Sequence, residues 1–309
     1  MQDEKTLFAE MERELGGTIC HDDPKGKALH HYTDAAGFEG IVSSKTLRGT
    51  HFRHLNDKGE LSAGECLINE EVKKLAPHLG TANQKWFVET FEPIHRQMSL
   101  STLGDIFVAS LSEHDDHLSQ WRGYGDHAAG YSLGFAKFRL PAPEANPPNA
   151  TQALHLAKCG YDEDNYRARV RHVLTDSAKG FERFVASHAK TYEQADAIAR
   201  QATALALRRV AMLVLGYKVA AFREEAEWRL IAIPHKGAER QISFRPARGV
   251  LVPYVPIDLC EEGELIALSS VVLGPTVEPE RGEHGARMLL SRYGYDPQIV
   301  RRSTIPFRG

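Results

Sequence analysis

The stretch ALHHYTDAAGFEGIVSSKTLRGTHFRHLND, residues 28–57, reads as strand, helix and returning strand. ALHHYT is a short strand, Thr33 or Asp34 can N-cap a helix over AAGFEGIVSSK, and TLRGTHF comes back as an extended segment. Successive side chains on a strand point to opposite faces, so His31 and Thr33 share one face while His30 and Tyr32 share the other. One imidazole is therefore expected in a cleft at the strand tip. His31 is the candidate; the alternative is a histidine held by hydrogen bonds for structure alone.

Outward from this stretch, residues 5–15 have the pattern of a short amphipathic helix stopped by Gly16-Gly17. Ser62 to Ser99 is helical in period, with Leu67, Val72, Leu75, Trp86, Phe87, Phe91 and Ile94 on a buried face and a break between Pro77 and Gly80. DIFVASLSE (105–113) is a β run, HLSQWRGYGD a polar turn or short helix, and GYSLGF (130–135) alternates as a strand. LPAPEANPPNAT (140–151) carries four prolines and is an extended connector, the best place for a boundary or insertion. After a strand at about 153–159, Asp162 to Gly216 is almost continuously helical, with a break at Gly180 or Thr191. The last third is β-rich through AFREEAEWRLIAIP, QISFRPARGVLVPYVPIDL and LSSVVLGPT, with one helix at about 280–293. The expectation is a single α+β domain over 1–309. Its sheet is bent and antiparallel-rich, with the N-terminal helix 5–15 and a largely helical insertion at about 160–216.

Composition supports a folded protein: 309 residues are 42% hydrophobic and 26% charged, which excludes a disordered chain. The net charge of -3 removes the global electrostatic case for nucleic-acid binding. No run approaches the roughly 18 apolar residues of a membrane span, and the charged N-terminus is unlike a signal peptide, so a cytoplasmic location without membrane attachment is expected. Cys20, Cys66, Cys159 and Cys260 are far apart and form no CxxC pair, which reads as reduced thiols.

Three segments concentrate chemistry. In FREEAEWRL (222–230), read as a strand, Glu225 and Glu227 share a face with Arg229. Two carboxylates that close cost free energy unless they meet water, a cation or developing positive charge; the alternative is an edge strand with Glu225 paired to Arg229. Ser110 and Ser112 put two hydroxyls on one face at a strand end. SEHDDHLSQWRGYGDHAAG (112–130) gathers Glu113, His114, Asp115, Asp116, His117, Asp126 and His127 without matching a metal-ligand spacing. Within it, Trp121 beside Arg122 suits stacking on a base and pairing with a phosphate, or a tryptophan anchoring its loop. STIPFRG (303–309) reads as turns closing the sheet, with Arg308 a further cleft candidate.

Taken in order, HYT, TLRGTHFRHLND, SLSE, LSQWRGYGD, GYSLGF, EEAEWRL, LGP and STIPFR resemble a widespread microbial family of domains of unknown function over about residues 29–308. More remotely, an early-strand His, a Ser-x-Ser strand and a late Glu-x-Glu strand are similar to ADP-ribosyltransferases. That resemblance implies a split sheet clamping NAD, consumed as substrate without a metal. It implies His31 as the ribose anchor with Tyr32 or Thr33 beside it, Ser110 and Ser112 in the Ser-Thr-Ser strand, Glu227 as catalytic carboxylate and Glu225 as its helper. Tyr124 or Tyr131 would form the shelf for nicotinamide, and Trp121, Arg122 and Arg229 complete the cofactor-binding set. The implied activity is NAD-dependent ADP-ribosyl transfer or NAD hydrolysis, as in toxins and phage-defence effectors. The acceptor would be a protein or nucleic acid, and a neutralising or regulatory protein a further partner. Two rival readings stay open: a non-catalytic nucleotide or nucleic-acid sensor using Trp121, Arg122 and the arginines of RARVRH (167–172), and a metal-dependent hydrolase or nuclease built on residues 113–127.

Overall fold

The first segment folds as its pattern predicts: strand β1 (Leu29–Thr33), helix α1 (Ala35–Ser44) and strand β2 (Thr46–His51). Asp34 is the cap, its carboxylate accepting the Gly37 amide at 2.6 Å. Lys45 ends the helix in the left-handed region with φ 59°, its amide returning to the Ile41 carbonyl. The helix buries Phe38, Ile41 and Val42. This computed structural model describes residues 7, 10, 11, 14, 22–55, 58–97, 105–138, 140, 152–235, 241–247 and 249–306.

Helices α2 (Lys58–Leu75) and α3 (Ala82–Gln97) follow, then β3 (Phe107–Ser112), α4 (Leu118–Tyr124), β4 (Tyr131–Phe135) and β5 (Gln152–Lys158). Helices α5 (Glu163–His188) and α6 (Tyr192–Leu215) break at Thr191, whose hydroxyl caps α6, while Gly180 is buried inside α5. The chain ends with β6 (Glu227–Pro234), β7 (Ser243–Ala247), β8 (Val250–Asp258), β9 (Leu268–Leu273), α7 (Pro279–Arg292) and β10 (Val300–Arg302). The last strand is too short for a sequence period and falls just before the segment read as turns. Leu7, Glu10, Met11 and Glu14 are helical and Met11 is buried; the rest of 5–15, the connector over 141–151 and Arg308 lie outside the described residues.

The chain divides into two compact units, residues 1–20, 56–105 and 160–220, and residues 21–55, 106–159 and 221–309. The first is helical: the segment expected at about 160–216 joins α2 and α3. Its centre is aromatic, with the Phe181 ring 5.7 Å from both Trp86 and Phe87; such rings contribute area burial plus about 0.5–1.5 kcal/mol per pair.

The second unit is α+β. Its sheet runs β10-β9-β4-β1-β3-β2-β8-β7, with β6 pairing both β3 and β5. All pairings are antiparallel except that of β9 with β10. Leu29, Leu111, Phe135, Trp228 and Leu230 line one face and pack against Phe38 of α1 and Leu290 of α7. Each such side chain contributes about 1.5–3 kcal/mol relative to exposure. Among the described residues no helix is long and apolar enough to cross a membrane.

Candidate functional site

Strand β3 is where the sheet divides. One of its edges is paired throughout by β6, from Phe107↔Ala232 to Ser112↔Glu227. The other edge is shared: β2 takes Phe107 and Val108, and β1 takes Ser112 opposite His30. The registers leave Ala109, Ser110 and Leu111 without a strand partner on that edge. His31, one residue past the last β1–β3 pair, fills part of the gap by donating Nδ1–H to the Ser110 carbonyl at 2.9 Å. Burial lowers its pKa, opposed by that bond. The ring is neutral at pH 7, with Nε2 left as an acceptor.

A cavity of about 50 Å³ lies in this gap and gathers His31, Tyr32, Ser110, Tyr124, Glu225 and Glu227. His31, Tyr32 and Tyr124 also line a larger neighbouring cavity of about 660 Å³, together with Thr33. Cross-strand register sets the small cavity's chemistry. Arg229 lies opposite Ser110, and Glu227 opposite Ser112. The Arg229 Nε and Nη2 donate to the two Glu227 carboxylate oxygens at 2.9 and 3.1 Å. Both side chains are buried, and β6 is internal rather than an edge strand.

Glu225 is not on that strand. It closes a 3-10 turn over Ala220–Glu225, and Ala226 follows in the left-handed region at φ 42°. An L-residue there costs roughly 1–2 kcal/mol, so the turn must be held from outside. The Ser112 hydroxyl donates to the Glu225 carbonyl at 2.7 Å and accepts the His114 amide at 3.1 Å, and the Glu113 amide donates to the Ala226 carbonyl at 3.1 Å. Ser112, read from the sequence as a cofactor contact, is placed in this turn. Its hydroxyl is engaged in the backbone turn that sets Glu225 and Glu227 side by side, and it does not line the cavity.

Other candidates are also displaced by packing. Trp121 is fully buried, donates its indole N–H to Asp116 at 2.7 Å and meets Tyr32 edge-on at 4.7 Å, so it presents no face to a base. The Tyr32 hydroxyl donates to the His114 carbonyl at 2.9 Å and accepts the His117 amide at 3.2 Å; burial pushes its phenol pKa up. Arg122 is exposed and lines neither cavity. Tyr131 packs against Phe38 with ring centres 4.8 Å apart and lines neither cavity, so of the two shelf candidates only Tyr124 is at the site.

The acidic loop is a clasp. Asp116 accepts from the Ser303 hydroxyl at 2.6 Å and the Thr304 amide at 2.7 Å, tying down the chain after β10. Glu113 takes Lys158 at 2.5 Å, Trp228 Nε1 and Lys27 at 3.0 Å, which pull its pKa down to about 2. Asp115 pairs with Arg301 at 2.5 Å. Among the described residues no three His, Cys, Asp or Glu side chains are gathered as metal ligands. In the helical unit, Arg167 and Arg171 of RARVRH meet Glu71 at 3.1 and 2.9 Å.

Three residues of the small cavity escaped the sequence reading, the apolar Leu111 and two polar ones. His30 and Gln120 line it and are 7% and 6% exposed, and His30 Nδ1 has no hydrogen-bond partner among the described residues. Burial lowers the His30 pKa. Alternation correctly put His30 on the face opposite His31, but the gap beside β3 admits both imidazoles. The only signal for Gln120 was its place one residue before Trp121.

Residues 120–230 match the family model of a protein of unknown function (DUF2971). The match runs from Gln120 in QWRGYG to Leu230 in EEAEWRL, so the expected domain-of-unknown-function family holds over this segment. No curated protein and no solved structure matches the chain.

Proposed function

We propose that this chain cleaves the nicotinamide–ribose bond of NAD in the cytoplasm and passes ADP-ribose to an acceptor or to water. The supporting observation is the convergence of His31, Ser110, Tyr124, Glu225 and Glu227, from five separate elements, on one cavity in the gap beside β3. As the C1′–N bond lengthens, the ribose gains oxocarbenium character and nicotinamide leaves as a neutral base. A carboxylate accepting the ribose 2′-hydroxyl offsets that charge. Glu227 takes this role, with Arg229 fixing its orientation. Glu225 receives the proton that the acceptor O–H or N–H releases as its heavy atom bonds to C1′. His31 Nε2 accepts a ribose hydroxyl, and Tyr124 lies beside the leaving ring. The sensor and metal-hydrolase readings have less support, since Trp121 is enclosed and Glu113 and Asp116 hold protein partners.

The test is nicotinamide release, followed by chromatography, from NAD incubated with cell lysate and either wild type or Glu227→Gln. Wild type releases nicotinamide and the variant falls roughly a hundred- to thousandfold. Absence of both release and NAD binding by the wild type overturns the reading.

A further inference from the structure

The larger cavity has a wall that the reaction chemistry leaves unused. Thr46, Arg48 and Thr50 alternate on one face of β2 and all line it. Register carries the same face across β8, since Arg48 lies opposite Pro256, Thr50 opposite Tyr254, and Val252 opposite Arg245 of β7. Arg245 lines the cavity too, facing small residues of α1 that include Gly37 and Gly40. A Cβ on Gly40 would sit 3.9 Å from Arg48 Nη2, so this guanidinium reaches across to the helix wall.

The two arginines differ from several elsewhere in the chain. Arg167, Arg171, Arg229 and Arg302 each hold a glutamate. Among the described residues neither Arg48 nor Arg245 has a carboxylate partner. The Arg48 Cζ stands 5.2 Å over the Tyr254 ring, which orients the guanidinium and leaves its in-plane N–H donors free. Two carboxylates line the same cavity, but Asp34 is engaged at the Gly37 amide and Asp126 is exposed in a turn with φ 47°. Strand β8 separates β2 from β7, and the β8 partners Pro256 and Val252 lie four residues apart, so the arginine backbones stand two strand spacings across and four residues along, roughly 16 Å. Guanidiniums so spaced suit an extended anion rather than a point charge.

We infer that Arg48 and Arg245 form a subsite for the diphosphate of a nucleotide, lying beside the cavity that holds His31 and Glu227. The inference rests on the NAD reading for the identity of the nucleotide, though not for its charge.

The test is calorimetric titration of ADP, adenosine and NAD into wild type, Arg48→Gln and Arg245→Gln. Charge-retaining Arg48→Lys and Arg245→Lys serve as controls, and circular dichroism checks the fold of each. ADP is expected to bind wild type more tightly than adenosine does. Each Gln variant loses about ten- to hundredfold in affinity for ADP and NAD with adenosine unchanged, and the Lys variants lose less. If ADP and NAD bind wild type and folded Gln variants equally, the subsite is overturned while the NAD reading survives. Arginine-dependent binding of ADP without binding of NAD supports the subsite and sinks the NAD reading. Failure of all three ligands to bind overturns both.

Discussion

Two glutamates are almost fully buried, Glu71 in the helical unit at 1% exposure and Glu227 in the sheet unit at 4%. Glu71 lies among Arg171 at 2.9 Å, Arg167 at 3.1 Å and Lys74 at 3.2 Å. Burial pushes its carboxyl up, and the bonds from these cations more than offset it, so the pKa ends below the usual range. Glu227 shares its face with Arg229 and borders a cavity. A buried carboxylate enclosed by cations ties helices together; the other, held by one arginine of its own strand, borders an opening.

The comparison breaks most sharply under paired substitution. Glu227→Gln lowers nicotinamide release roughly a hundred- to thousandfold, whereas Glu71→Ala leaves release per folded molecule unchanged. Glu71→Ala instead removes the buried carboxylate that holds Arg167, Arg171 and Lys74, lowering unfolding free energy by about 1.5–3 kcal/mol in a denaturant titration. Equal loss of turnover in both folded proteins would erase the distinction. Next in size is Ser112→Ala, which removes the hydroxyl between the Glu225 carbonyl and the His114 amide and costs about 1–3 kcal/mol. Ser112→Thr restores part of this, and nicotinamide release follows the same order because the turn carries Glu225.

Acid separates the two kinds of group further. Glu113 has a depressed folded pKa of about 2, so its contribution is complete above the unfolded value of about 4.3 and is lost as pH falls from there towards 2. Melting temperature should therefore decline in that window, and Glu113→Gln should flatten the decline. For His31 the lowered pKa puts the acid limb of nicotinamide release below the ordinary imidazole range near 6.5; a limb above that range would contradict a neutral ring. The smallest expected effect is Ala226→Gly, which relieves the left-handed strain against a larger unfolded-state entropy and raises stability by about 0.5 kcal/mol, read by thermal melting.

The fold was legible where local signals agree. Asp34 at the end of HHYT, the apolar spacing of Phe38, Ile41 and Val42, and the return through TLRGTH set β1, α1 and β2 almost to the residue. Of the two breaks legible in the helical stretch, Thr191 is the one that parts α5 and α6, and His31, Ser110, Tyr124, Glu225 and Glu227 are all legible as candidates in the sequence. What stayed hidden depends on tertiary context. Alternation assumes an unbroken strand, and Ala226 at positive φ breaks it between the two glutamates. Nothing local distinguishes a tryptophan on a ligand from Trp121 bonded to Asp116. His30 reaches the cavity only because β1 leaves β3 one residue later, a divergence set by partners distant in sequence.

That divergence leaves Ala109, Ser110 and Leu111 without a strand neighbour on one side in the middle of a sheet. Unpaired N–H and C=O groups along such an edge can template strand addition, and proteins ordinarily guard them. Here the guard is an imidazole: His31 occupies the Ser110 carbonyl that a neighbouring strand would otherwise use. The same imidazole thus stands where a foreign strand would add, so an opening can persist within the sheet without becoming a seed for aggregation.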